Sequence, residues 1–322
     1  MTAATAGAAA TPAASAAAGR TLKLGTRGSA LALAQTRTVA AALERSGASV
    51  ELVTITTEGD TSKASLASLG GTGVFASALR EALVDGRVDA VVHSLKDLPT
   101  AGYPGLVIGA IPKREDARDA LCAADGLTFD TLPAGARIGT GSPRRRAQLR
   151  ARRPDVEAVD IRGNVDTRLA RVGDDLDAVI LAAAGLSRLG RLDAVTEFLG
   201  IDGWPTAPGQ GAVAVEVRAG EEKLVSSLDH KPTRTTVEAE REVLALLEAG
   251  CAAPVGAHAM IDDGLLFLSA RVYSLDGTER LTSSHALYLS DVKKPASDVA
   301  ARVAAELLNL GAATIAPVGP GS

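Results

Sequence analysis

Cysteine is almost missing: Cys122 and Cys251 are the only two in 322 residues. Two thiols cannot hold a structural zinc by themselves or build a disulfide framework. With no signal-peptide pattern in view, both read as free thiols in a reducing cytosol. Aromatic side chains are scarce as well, at 1 Trp, 3 Tyr and 4 Phe. A protein that grips single-stranded nucleic acid by stacking on its bases needs more of them. No uncharged apolar run approaches the roughly 18 residues that a membrane helix requires. A P-loop, an H-E-x-x-H motif and a full dinucleotide fingerprint are all lacking. Gly70-Gly71-Thr72-Gly73 has no strand directly ahead of it, as a nucleotide loop would.

What is present is globular. Hydrophobic residues make up 46 % and charged residues 22 %, with a net charge of −4, and the length exceeds what one compact core organises. Residues 1–19 hold eleven Ala and no charge, and read as a disordered tail outside the fold. From Thr21 the pattern is strand, then a helix over Ala30 to Arg45 closed by Gly47, then alternation over Val50 to Thr56. A helix over Val74 to Val84 and a buried strand Ala90-Val91-Val92 follow. After Pro112 come strands at Arg137 to Gly139, Val156 to Ile161 and Ala178 to Leu181. Helices at Arg144 to Arg152 and Asn164 to Val172 separate them, and Val213 to Val217 is a further strand. This alternation predicts an α/β chain of two doubly wound lobes with parallel sheets, facing each other across a cleft. The last unit is a small α+β domain. Its helix is expected to begin at a capping box, Thr235 with Glu238, and to run to about Glu248. Strands at Val255 to Ile261, Leu265 to Tyr273 and Leu281 to Leu289 and a helix from Ala296 to Leu308 complete it. The expected division is a tail over 1–19, domain 1 over 20–112 with 213–230, domain 2 over 113–212, domain 3 over 231–316, and a tail over 317–322.

Charge is uneven. Residues 137–191 contain twelve Arg and no Lys against seven Asp and Glu, and six of those Arg fall within 144–153. Guanidinium forks match carboxylates and phosphates in a bidentate way. Arg144 and Arg145 follow the small-residue loop Gly139-Thr140-Gly141-Ser142 at a helix start, where backbone amides and hydroxyls converge into an anion site. Arg150, Arg152 and Arg153 read as an ordinary solvated face. Arg162-Gly163-Asn164, with Arg168 one turn on, repeats the loop arrangement, as does Arg27 in Thr26-Arg27-Gly28-Ser29. Three such loops imply one multiply anionic ligand. His93-Ser94-Leu95-Lys96-Asp97-Leu98-Pro99 concentrates polar groups where a strand runs out; alone, Asp97 reads as a turn residue and His93 as a structural histidine. Cys251, in Gly250-Cys251-Ala252-Ala253-Pro254, is a thiol among small residues and open to nucleophilic chemistry, whereas Cys122 reads as a small buried hydrophobe.

Taken together these segments resemble the porphobilinogen deaminase (hydroxymethylbilane synthase) family. The matching stretches are 25–32, 93–99, 138–145, 161–169, 182–189, 208–212 and 250–256, in that order, within a resemblance from about Arg20 to Ala312. The resemblance implies a cytoplasmic, monomeric transferase of tetrapyrrole (haem) biosynthesis. It condenses four porphobilinogen molecules head to tail with loss of ammonia, on a dipyrromethane cofactor held by a thioether. It implies no nucleic-acid or membrane partner and no metal, and a product passed to a uroporphyrinogen-III synthase. By position the cofactor cysteine is Cys251 and the catalytic aspartate Asp97. The cofactor-binding positions fall on Lys96, Ser94, Thr140, Ser142, Arg144, Arg145, Arg162, Gly163, Arg168 and Arg188. The substrate-binding ones fall on Arg27, Ser29, Gln210 and Phe75.

Each pyrrole carries an acetate and a propionate, so two rings bring four negative charges. Burying them without paired cations is costly. The chain departs from the family where Thr72-Gly73 replaces a usual Lys-Gly and Ser77 a usual Lys or Thr, which reduces the cations expected from loop 58–75. Pro143 replaces a common Leu and suits a first helical position. The runner-up reading is a non-catalytic anion binder, because the two lobes also resemble type II periplasmic binding proteins. A nucleic-acid protein using the basic segment is disfavoured by the overall acidity.

Overall fold

A computed structural model describes residues 20–56, 73–250 and 253–319, apart from the side chains of 73–75. The N-terminal tail, residues 320–322, the loop before residue 73 with Thr72, the side chain of Phe75, and Cys251 therefore lie outside the described residues, while Val318, placed in the expected C-terminal tail, is buried in a hydrophobic core.

Strand β1 (Thr21–Thr26) leads into helix α1 (Ala30–Arg45), whose first turn Ser29 caps by accepting from the Ala32 amide. Strand β2 (Ser49–Thr54), helix α2 (Gly73–Val84) and strand β3 (Ala90–Ser94) follow, and β3 runs straight into a short 3-10 turn, Leu95–Asp97. Strand β4 (Leu106–Ala110) is the last of the first passage. The chain then crosses to a second sheet. There lie β5 (Asp119–Ala123), β6 (Arg137–Gly139), helix α3 (Pro143–Arg152), β7 (Glu157–Val159), helix α4 (Val165–Leu169), β8 (Ala178–Ala182), helix α5 (Ala183–Arg188) and β9 (Glu197–Leu199). It returns as β10 (Val213–Arg218) to the first sheet.

The two five-stranded sheets have orders β2-β1-β3-β10-β4 and β7-β6-β8-β5-β9. Wholly parallel sheets were the expectation, and one strand in each breaks it. β10 is antiparallel to β3 and β4, and β5 is antiparallel to β8 and β9. Both arrive from the opposite sheet, so no helical crossover of their own forces them parallel. β4, β5 and β9 were not foreseen; they are short, and Gly109 in β4 and Asp119 in β5 blur the alternation.

In the first sheet, Leu24, Val92 and Val215 pack one face against Val39 and Leu43 of α1, while Val91 turns to Leu79 and Leu83 of α2. Each such side chain contributes about 1.5–3 kcal/mol by leaving water.

The C-terminal unit opens on helix α6 (Lys231–Leu246) and continues through β11 (Val255–Asp262), β12 (Leu265–Tyr273), β13 (Arg280–Tyr288), α7 (Pro295–Asn309) and α8 (Ala312–Ile315). Its antiparallel sheet, β11-β12-β13, buries Leu266, Leu268 and Val272 against Val243 of α6 and Val303 of α7. Helix α6 starts four residues before the expected capping box. His230 accepts from the Thr233 amide through Nδ1, and Pro232 occupies the first turn, where its missing N–H is no loss. Thr235 is consequently interior to the helix. Helix α4 is shorter than expected and ends at Leu169, and Gly173 beyond it has a φ of +84°.

Candidate active site

The carboxyl ends of β1 and β3 face a cleft that Arg27, Ser29, Gln35, His93, Ser94 and Asp97 line together. Four of these, Arg27, Ser29, Ser94 and Asp97, are sequence-predicted site residues. Ser94 exchanges hydrogen bonds with the Gln35 amide at 2.8 and 3.2 Å, so α1 holds its hydroxyl in place. His93 is buried with its Nε2 3.3 Å from Glu216, which also receives a bidentate grip from Arg80 at 3.0 and 2.9 Å.

Across the cleft, local sequence explains the helix start. Ser142 caps α3 by accepting from the Arg145 amide, and Thr140 Oγ1 accepts from the Ser142 amide at 3.3 Å. An added Cβ at Gly141 would lie 2.7 Å from the Ile161 carbonyl, so this loop closes against the next one only with glycine there. Asn164 caps α4 by accepting from the Thr167 amide at 2.8 Å. Arg168 donates through Nε to the Gly163 carbonyl, and Gly163 itself sits at a φ of +100°. Arg162 is exposed.

Arg144 and Arg145 turn inward. They are 4 % and 6 % exposed and converge on Asp119, which is fully buried. Arg144 Nη1 is 3.0 Å from one oxygen of Asp119 and Arg145 Nη2 2.6 Å from the other. Gln210 Nε2 and the indole N–H of Trp204, the only tryptophan, donate to the same carboxylate at 2.8 Å each. Burial disfavours ionised Asp119, yet the two guanidiniums and these hydrogen bonds outweigh it and hold the carboxyl well below the usual carboxylate range. Asp119 was not among the predicted residues. It stands at the start of an unforeseen strand, and nothing local marks it as the partner of arginines 25 and 26 residues away.

Lys96 reaches Gln210 Oε1 at 3.3 Å. Burial pushes its ammonium down to about 8, with Asp97 pulling upward and Arg145 downward, so these groups share one electrostatic field. Arg168 is lowered by burial and by Arg145, with Asp97 opposing. Arg188 is lowered by burial and donates to the Gly211 carbonyl at 2.8 Å. The structure thus brings Lys96, Asp97, Arg144, Arg145, Arg168 and Gln210 into one neighbourhood. It ties Arg188 to the crossing segment beside Gln210. Arg150, Arg152 and Arg153 serve packing instead, donating to Leu275 O, stacking on Phe129 and capping Phe129 O.

A family model described as "Porphobilinogen deaminase, dipyromethane cofactor binding domain" matches residues 22–226, and a second, "Porphobilinogen deaminase, C-terminal domain", matches residues 234–309. The chain belongs to the porphobilinogen deaminase family. Among relatives of that name, the one from Leifsonia xyli subsp. xyli is 62 % identical over 311 residues, covering 92 % of this chain and 94 % of its own length. The one from Thermobifida fusca is 51 % identical over 300 residues, covering 90 % of this chain and 94 % of its own. A periplasmic substrate-binding protein of an ABC transporter from Coxiella burnetii is similar at 18 % identity and a TM-score of 0.40, over 69 % of this chain and 95 % of that one. So distant a likeness carries no argument.

The dipyrromethane cofactor of porphobilinogen deaminases fits the residues present. The Nε atoms of Arg144 and Arg145 are buried and make no hydrogen bond among the described residues, and such donors want an anionic partner. Around them Lys96, Arg162, Arg168 and the hydroxyls of Thr140 and Ser142 outnumber the carboxylates Asp97 and Asp119, leaving net positive charge for the cofactor's four carboxylates. Among the described residues no helix is long and apolar enough to cross a membrane.

Proposed function

We propose that the chain condenses four porphobilinogen molecules head to tail into hydroxymethylbilane, releasing ammonia at each step. The growing chain is held by a thioether to Cys251. The observation that carries this reading is Asp97, at the end of β3, in one electrostatic neighbourhood with Lys96, Arg145 and Arg168, in a chain of this family.

When bound, the dipyrromethane supplies the nucleophilic pyrrole carbon and a tether that makes each addition intramolecular. The remaining work belongs to side chains. Arg144 and Arg145 are pre-aimed by Asp119, so their orientation costs nothing when carboxylates enter. Thr140, Ser142 and the amides at the α3 start add neutral donors beside them. Arg162, Gly163, Arg168 and Arg188 take further carboxylates, and Lys96 and Ser94 serve from the opposite wall. Arg27, Ser29, Gln210 and Phe75 receive the incoming substrate.

Asp97 stabilises the cation left on the substrate methylene when ammonia departs. It then accepts the proton released as the new carbon–carbon bond forms. Domains over 20–112 with 213–230, 113–212 and 231–316 divide this labour between the carboxylate wall, the arginine wall and the anchor. The enzyme acts as a cytoplasmic monomer, its product passing to a uroporphyrinogen-III synthase.

Intact mass tests this reading. The purified protein is expected to exceed its sequence mass by two linked pyrroles, Cys251→Ala to lose that excess, and Asp97→Ala to keep it while losing turnover on porphobilinogen. An active protein with an unmodified Cys251 overturns the assignment.

A further inference from the structure

Arg241 has no carboxylate partner among the described residues. It projects from α6, in the C-terminal unit, and donates only to backbone carbonyls of the first lobe: Nη1 to Leu95 O at 3.0 Å and Leu98 O at 2.8 Å, and Nη2 to Pro99 O at 2.8 Å. These three carbonyls bracket Asp97 on both sides. The turn that carries Asp97 has three residues, closed by a single bond from the Leu98 amide to Leu95 O at 3.2 Å. A turn so short does not fix its own direction. Burial, with Arg80 adding repulsion and Glu216 opposing it, lowers the Arg241 guanidinium to about 10. A buried cation held only by carbonyls costs stability, and a return in function would explain it.

The adjacent residue grips the segments that join the two lobes. Glu240, fully buried, receives Arg114 at 2.6 and 3.0 Å and the Gly209 and Ala259 amides at 2.7 and 2.8 Å. The same helix therefore holds the interlobe crossings through Glu240 and the Asp97 turn through Arg241. Its C-terminal end leads, within ten residues of Arg241, to Cys251.

We propose that Arg241 is a positioning residue for catalysis: its guanidinium ties the Asp97 turn to the helix that precedes the cofactor-bearing loop, fixing the carboxylate relative to the anchored chain. The proposal rests on the deaminase reading above. It assigns Arg241 no contact with substrate.

The test uses holoenzyme whose cofactor load has been verified by intact mass, assayed for porphobilinogen consumption well below the melting temperature. Arg241→Met is expected to lower kcat at least about tenfold with KM within about twofold, the pattern of a lost transition-state contribution. Arg241→Lys should recover a large part of that loss, and millimolar methylguanidine should raise the turnover of Arg241→Ala. Arg153→Met is the control, because Arg153 also caps backbone carbonyls, Phe129 O and Leu132 O, in the second lobe, there with Asp155 as an ion-pair partner as well. It should lower the melting temperature and leave kcat within about twofold. If Arg241→Met does not fold, the Lys variant and the methylguanidine rescue decide. Wild-type-like kcat in a folded Arg241 variant, an unrescued Ala variant, or an equal kcat loss in Arg153→Met overturns the proposal. A wild-type protein that releases no ammonia from porphobilinogen overturns the deaminase reading instead.

Discussion

Lys96 is the residue on which the site's pH response turns. Its folded-state value, near 8, lies below the ordinary 10.5 because burial opposes the ammonium. A lowered base weakens the fold while it is charged, so stability rises with pH between about 8 and 10.5. Carboxylate binding has the opposite need, since it wants the charged form and takes up a proton above pH 8. Loading of cofactor-free protein with the dipyrromethane is therefore expected to weaken from about pH 8 upward, by as much as about tenfold per unit. Lys96→Arg should stay flat to about pH 10, because guanidinium remains charged there. Intact-mass measurement of cofactor loading across pH 7 to 10 checks both; wild-type loading that stays flat through this range removes Lys96 from carboxylate binding.

Helix α3 shows how elements of different units share one job. Its N-terminal end aims Arg144 and Arg145, while its outer flank is braced by the C-terminal unit. Arg150 donates to Leu275 O at 2.8 Å, and Gln148 meets the Tyr273 hydroxyl at 3.5 Å. Gly277, in the turn after β12, approaches so closely that a Cβ there would sit 2.5 Å from Ala147 O and 2.8 Å from Arg150 Cβ, and its φ of +79° disfavours a side chain anyway. Gly277→Ala is thus expected to cost about 1–3 kcal/mol and to reduce cofactor loading as the helix is pushed aside. Thermal melting and intact mass measure the two effects. Normal loading in a destabilised variant would uncouple the brace from the site.

At the scale of the molecule, the arginine-rich segment 137–191 sits in a chain whose net charge is −4. Its Arg144, Arg145, Arg162 and Arg168 crowd toward Lys96 of the first lobe, with Asp97, Asp119 and Asp160 among the carboxylates that oppose them. An anionic ligand bound only by the folded state relieves that repulsion and stabilises the fold. Cofactor-free Cys251→Ala is therefore expected to melt several degrees below the holoenzyme. Added salt should narrow the gap by screening like charges. Calorimetry at about 0.05 and 0.5 M salt checks this, and a gap that widens with salt contradicts it.

Local rules accounted for much of this protein. The extent of α1 from Ala30 to Arg45, the start of α3 just after the Gly139–Ser142 loop and the burial of Cys122 were all legible, since each depends on residues within a turn or two, whereas Asn164, expected inside its helix, caps it instead. The loops carrying Arg27, Arg144 and Arg162 were legible for the same reason. Thr235 with Glu238 had the right spacing for a cap, yet His230 and Pro232 start the helix earlier, because a local rule yields when a nearer one is satisfied first. The reversal of β5 and β10, the meeting of Arg144 and Arg145 on Asp119, and the reach of Arg241 to residues more than 140 positions away belong to the tertiary structure alone. A buried charge takes its partner from whatever the packed sheets bring within about 3 Å of it, and no spacing along the chain encodes that distance.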